Sequence, residues 1–301
     1  MFAKSVERRG VCGLAVAAVS LLLVACGGGS SLSNSGALNL SLTDGPVDDA
    51  DAVVVAFTGV AVKPAAGGEI DIDFDTAKSI DLLALQGDVS TTLLEDYALA
   101  AGQYNWIRLK VDEAASYIEV SGVQHALSIP SGSESGLKLN RTFTISAGED
   151  QGFTIDFDLR SSVHQSGAGS YRLRPTLRIV DDSDRGHISG TVAAALLDGN
   201  SDCFDDAGAI DAAVYVYEGA GVAPSDVNID ADGGPTTTAK VTSDNGVYRY
   251  TAGFLPSATY TVALTCQADL DDGEQADTLT FLSSGDVAVT AEQTTQYDFV
   301  P

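Results

Sequence analysis

Asp198, Asn200 and Asp202, in the run Asp198-Gly199-Asn200-Ser201-Asp202, offer side-chain oxygens at alternate positions. Oxygen ligands at that spacing suit Ca²⁺, and Asp205 and Asp206 stand close behind. The helix-loop-helix calcium pattern then requires Gly where Cys203 stands and Glu where Ala209 stands. A solvated acidic loop is therefore the plainer reading. Asp269, Asp271, Asp272 and Glu274 form a second acidic loop with the same two readings, and Ca²⁺ is the one cofactor the sequence suggests. Catalytic patterns are missing: there is no His-Glu-x-x-His, Gly-x-Ser-x-Gly, Gly-x-x-x-x-Gly-Lys or Cys-x-x-Cys. His125, His164 and His187 lie far apart, which suits surface or structural roles. With 42 acids in 301 residues, a pair for acid/base work could be drawn almost anywhere, so abundance removes the signal. Arg172, Arg174 and Arg178, at alternating strand positions, read as partners of nearby acidic faces, with an anion-binding strip as the sharper alternative.

The elements that position these residues begin with an address. Lys4, Arg8 and Arg9 precede an apolar run from Val11 to Ala25, the layout of a signal peptide. A membrane span needs about 20 apolar residues, and this run is shorter and holds Gly13. Leu23-Val24-Ala25-Cys26 resembles the bacterial lipobox, with a plain secretory signal as the alternative. Only cysteine serves at such a site, because its thiolate is a strong nucleophile that takes a diacylglycerol as a thioether. The resemblance implies cleavage before Cys26 and two or three acyl chains of the palmitate type on it. Two chains anchor stably where one binds marginally. Gly27 stands where an Asp would imply inner-membrane retention, so the resemblance points to the outer membrane. Residues 27–36, GGGSSLSNSG, read as a tether spanning roughly 17 Å root-mean-square. Cys12 leaves with the signal, which leaves Cys203 and Cys266 as a pair in an oxidising compartment. A disulfide is the natural reading and two free buried thiols the alternative.

The net charge of −26 becomes more negative once residues 1–25 are removed, which argues against nucleic acid as a partner. The chain is 45% hydrophobic, and its acids are interleaved with apolar residues, so it should fold. Charge divides it: residues 37–185 carry 11 basic side chains, whereas residues 186–301 carry only Lys240 and Arg249 against 18 acids. We expect domains at 37–185 and 186–301, after a signal peptide over 1–25 and a lipidated tether over 26–36. Strand patterns dominate both. Ala37 to Thr43 alternates before the turn Asp44-Gly45-Pro46, and Glu69 to Asp75 alternates apolar residues with acids, a strand with one wet face. Asp88 to Ala100, with Leu93, Leu94, Tyr97 and Ala98 near helical spacing, predicts a short helix, and Trp106 is expected in the core. The fold class is mainly β, two sandwich-type domains.

The stretches LSLTDGPVDDADAVVVAFTGVAVKP, LAAGQYNWIRLKVDEA, FTIDFDLRSSV and YRLRPTLRIVD resemble a domain-of-unknown-function family common in bacterial envelope lipoproteins, over about residues 37–181. That resemblance implies no activity or catalytic residue. Residues 186–301 resemble the transthyretin-like, carboxypeptidase-regulatory type of β-sandwich. The motifs are His187-Ile188-Ser189-Gly190-Thr191-Val192, the Asp244-Asn245-Gly246 turn and Leu255-Pro256-Ser257-Ala258-Thr259-Tyr260-Thr261-Val262, with Ala258 where that family has Gly. The resemblance implies a rigid spacer or interaction module. The expectation for function is a lipid-anchored envelope protein acting as a non-catalytic binding, adhesion or scaffold module, with an envelope protein or glycan as partner. The rival is a carboxylate-dependent hydrolase of envelope or extracellular polymers. Acids buried in a deep pocket would favour the rival, and acids on wet strand faces the first reading.

Overall fold

A computed structural model of the chain describes residues 34–45, 50–130, 136–160, 162–166, 169–205, 208–228 and 233–301. The expected signal peptide, Cys26, most of the tether and Asp206 lie outside the described residues. No described helix is long and apolar enough to cross a membrane. The chain is mainly β, arranged as sandwich-like pairs of sheets.

Residues 35–181 supply β1 (Ser35–Gly45), β2 (Ala52–Pro64), β3 (Ile70–Asp81), β4 (Thr91–Ala100), β5 (Gly102–Val120) and β6 (Val123–Ser128). They continue with β7 (Leu137–Leu139), β8 (Phe143–Ile145), β9 (Asp150–Asp158), β10 (Val163–Ser166), β11 (Ser170–Leu173) and β12 (Thr176–Asp181). One sheet runs β12-β9-β1-β4. The other runs β10-β11-β6-β5-β2-β3, with β7 and β8 also pairing the long β5. Alternation explains the core: Leu38, Leu40 and Leu42 of β1 and Phe153, Ile155 and Phe157 of β9 point inward against Val53, Val55 and Phe57 of β2. Phe57 and Phe157 meet edge to face at 6.1 Å across the two sheets.

Residues 185–299 add β13 (Arg185–Val192), α1 (Ala194–Leu197), β14 (Ala213–Glu218), β15 (Thr237–Lys240), β16 (Thr242–Asp244), β17 (Val247–Pro256), β18 (Thr259–Thr265), β19 (Phe281–Ala288) and β20 (Thr294–Gln296). Sheet β16-β17-β13-β20 faces sheet β15-β14-β18-β19 over a second core that includes Ile188, Val214, Val262 and Phe299. The β16–β17 hairpin turns on Asn245 (φ 52°) and Gly246 (φ 81°), the pair a two-residue primed turn demands. Cys203 and Cys266 are joined by a disulfide that ties the 3-10 turn Ser201–Cys203 to the end of β18.

Three expectations are corrected. Residues 91–100 form a strand, not a helix: β4 pairs antiparallel with β1, with irregular register either side of Leu40. The extra residues there turn period-2 burial into the spacing of Leu93, Leu94 and Tyr97 that imitates a helix. Asp96 adopts φ 50°, and Asn39 Oδ1 accepts its N–H at 2.7 Å. Trp106 leaves the core because a register shift between Lys63 and Pro64 inserts a residue into β5, so Tyr104 and Ile107 point in and Trp106 out. Arg172, Arg174 and Arg178 do not share a strand: the chain breaks at Pro175, which sends β11 and β12 to different sheets.

Candidate functional site

The β9 alternation that buries Phe153, Ile155 and Phe157 puts Thr154, Asp156 and Asp158 on the opposite face, where Asp156 and Asp158 meet Val227, Asn228 and Gly234 to Thr236. Arg178, opposite Asp156 on β12, donates to Asp156 Oδ2 through Nη2 at 2.5 Å and Nε at 3.2 Å. Burial raises the Asp156 carboxyl above its ordinary range and the Arg178 guanidinium opposes that shift. Asp156 and Asp158 border a shallow pocket of about 360 Å³. Asp44, near the end of β1, is 4% exposed, and no described side chain donates to its carboxylate oxygens. Burial and then the charges of Asp156 and Asp158 push Asp44 well above the carboxylate range, opposed only in part by the Leu159 main-chain N–H.

A larger cleft, about 800 Å³, opens where β10 and the β5–β6 turn face residues 268–274. Its far wall is fastened from within. Arg160, 6% exposed just beyond β9, donates through Nη1 to the Ala268 carbonyl and through Nε to Thr238 Oγ1 at 3.4 Å. Asp271 accepts from Tyr215 Oη at 2.5 Å and from the Val227 N–H at 3.1 Å. Burial raises the Asp271 carboxyl, and the Tyr215 and Val227 bonds pull it back. Glu274 closes one end, 3.6 Å from Arg174 Nη1 and 3.8 Å from His164 Nδ1. The cleft is thus pre-formed, and five carboxylates line it against the Arg160 guanidinium and the His164 imidazole.

The strand carrying Asp44-Gly45 and the strand carrying Asp156 and Asp158 lie side by side in parallel register, Gly45 opposite Asp158. Both fall within a stretch that matches a known family. Residues 35–175 are a DUF4382 domain, a domain of unknown function. The match ends at Pro175, although β12 completes the sheet the DUF4382 domain begins. No curated protein matches the chain. Among solved structures, the minor pilin GBS52 of Streptococcus agalactiae is 11% identical, with 87% of this chain and 96% of that one covered, at a TM-score of 0.19. The fimbrial anchor protein Mfa2 of Porphyromonas gingivalis is 8% identical over 81% and 82%, at 0.18. Scores this low establish neither a shared fold nor a shared role.

The residues singled out from the sequence are dispersed. Cys203 and Cys266 meet. Asn200 Oδ1 caps the Ser201–Cys203 turn by accepting the Asp202 N–H, and Asp202 Oδ2 accepts from Gln267 Nε2 at 3.1 Å. Neither Asp198 nor Asp202 joins the one carboxylate trio whose oxygens, among the described residues, all lie within 4.8 Å of one another. That trio is Asp226, Asp271 and Asp277. Only Asp271 of it belongs to an acidic loop marked in the sequence. The histidines remain apart: His125 of β6 meets the Tyr171 ring at a tilt, His164 borders the cleft, and His187 accepts from the Phe254 N–H, with burial lowering its pKa. Sequence reasoning missed Arg160. Its signal was a lone Arg continuing the outward positions of Phe153 to Leu159, ahead of a second half nearly devoid of cations.

Proposed function

We propose that the chain is a lipid-anchored envelope protein, held by Cys26 at the outer membrane, whose DUF4382 domain and C-terminal sandwich form a non-catalytic binding, adhesion or scaffold module. The observation that carries this reading is the cleft pinned open by Arg160, a pre-formed surface between the β10 edge and the loop 268–274. The buried acids are committed elsewhere. Asp156 is held by Arg178, and Asp44 is sealed from solvent, whereas a hydrolase needs carboxylates free to reach substrate. The Cys203–Cys266 disulfide suits an oxidising compartment and so agrees with export. The excess of acids disfavours nucleic acid and leaves an envelope protein or glycan as partner.

Two measurements test the reading. Cys26→Ser should abolish incorporation of labelled palmitate, and equal labelling of mutant and parent would remove the anchor. A substrate screen over esters, glycosides, peptides and phosphoesters, with and without Ca²⁺, should show no turnover. Turnover abolished by Asp156→Asn or Asp158→Asn would establish the hydrolase instead.

A further inference from the structure

Among the described residues the strand β10 ends its sheet, and its open side borders the cleft. Three consecutive residues, Val163, His164 and Gln165, line that cleft. Because successive side chains leave a strand on opposite faces, three in a row can border one space only where the strand's edge faces it. Hydrogen-bond phase identifies what the edge offers. The Arg174 N–H donates to the Ser162 carbonyl at 2.7 Å, so in the antiparallel β10–β11 pair His164 and Ser166 exchange bonds with β11. The Gln165 N–H and C=O then project to the open side. Edges are ordinarily guarded by charge, Pro or a bulge. The opposite edge of the same sheet, β3, carries Asp71, Asp73, Asp75 and Lys78, whereas β10 reads Val-His-Gln-Ser.

The facing wall decides what could pair there. Asp271, Asp272 and Glu274 stand on it, with Asp51 beside the β5–β6 turn, and low-dielectric walls concentrate the field of such a set. Arg160 is already spent on Ala268 and Thr238. Leu270, 60% exposed, adds an apolar foothold among the acids. Anionic glycans and lipid headgroups are repelled. A small cation would satisfy the acids and leave the strand edge and Leu270 unused. The four residues of β10 span about 13 Å, room for a short extended segment.

We propose that this cleft binds an extended polypeptide segment that alternates basic and apolar residues, added as a strand to β10 at the Gln165 backbone. The proposal rests on the reading of the chain as a binding module and names the partner chemistry of that cleft. Main-chain bonds supply affinity in such strand addition, and the acids and Leu270 select the side chains.

The test titrates the purified full-length chain with short fluorescent peptides: alternating Lys-Val, alternating Glu-Val, and Lys-Val methylated on alternate amide nitrogens. We expect the Lys-Val peptide to bind, more weakly at high salt, and the Glu-Val peptide not to bind. The methylated peptide, and the exposed-site variants Leu270→Lys and Gln165→Lys, should each lose about tenfold or more in affinity. Asp75→Lys, on the guarded β3 edge, should bind as the parent does. Slowed hydrogen exchange at the Gln165 amide on binding supports the geometry. Equal affinity for the methylated peptide, or indifference to both Lys variants, overturns it, as does binding of Ca²⁺ alone with no peptide bound. A chain that turns over no substrate yet ignores every peptide overturns strand addition and leaves the non-catalytic reading standing.

Discussion

Arg160 joins the end of β9 to the main-chain carbonyl of Ala268, 108 residues further along the chain. This single buried guanidinium couples the DUF4382 domain to the loop that walls the cleft. A second close approach supports it: a Cβ added at Gly253 of β17 would lie 2.0 Å from the Gly87 carbonyl oxygen, so the two backbones meet where only glycine fits.

Replacing Arg160 by Met keeps the side-chain length and removes the charge and its donors. Buried carbonyl and hydroxyl partners are then left unpaired, which costs about 3 kcal/mol. Chemical denaturation should show that loss, and hydrogen exchange should show faster opening of residues 268–274. A change below about 0.5 kcal/mol, the size of an ordinary surface substitution, would mean that Arg160 does not hold the wall.

The disulfide closes a loop of sequence separation 63. Chain entropy assigns such a cross-link about 4 kcal/mol, a large part of the roughly 5–15 kcal/mol that stabilises a domain. Reduction should therefore lower the melting temperature of residues 185–299 while leaving the DUF4382 transition in place. Coincident shifts of both transitions would show that the halves unfold as one unit.

Where alternation runs uninterrupted, the elements are legible in the order of the residues alone. Ile70, Ile72 and Phe74 face inward between the exposed Asp71, Asp73 and Asp75, and Asn245-Gly246 makes its hairpin. Legibility fails at bulges. One inserted residue moves every later side chain to the other face, which is how β4 imitates a helix and how Trp106 leaves the core. The candidate site is less legible still, because Asp271 lies more than a hundred residues from Arg160 and Gln165 and meets them only through tertiary packing. The cysteine pair is the exception, since counting alone leaves two thiols.

Trp106 offers an optical check on the corrected register. It is the sole tryptophan, and on the outward face its ring meets the Arg108 guanidinium at 4.6 Å and the Lys138 ammonium at 4.7 Å. Native fluorescence should be quenched by acrylamide. Lys138→Ala should shift the emission and cost about 0.5–1 kcal/mol, the worth of an exposed cation–π contact. Emission that is blue and inaccessible to quencher would return Trp106 to the core.

Asp44 gives the sharpest dependence on pH. Its folded-state carboxyl is raised, by burial first and then by Asp156, Asp158 and Asp81, while the unfolded chain titrates near the ordinary value of about 3.9. Between those two values the native state holds a proton that the unfolded state has released. Stability must therefore fall as pH rises through that window, by up to about 1.4 kcal/mol per pH unit for one fully linked proton. Below the ordinary carboxylate range both states are protonated and the effect vanishes; above the folded value the loss is complete. Asp44→Asn removes the titration and keeps the shape, so the difference in unfolding free energy between variant and parent should grow in the variant's favour as pH rises from about 4 to neutral. Comparing the two proteins cancels the contributions of acids that do not interact with Asp44, whereas those of Asp156, Asp158 and Asp81 stay coupled to it. Denaturant unfolding of both, across that range, measures the difference directly. A difference that stays flat with pH would show that Asp44 is ionised and satisfied in the folded chain.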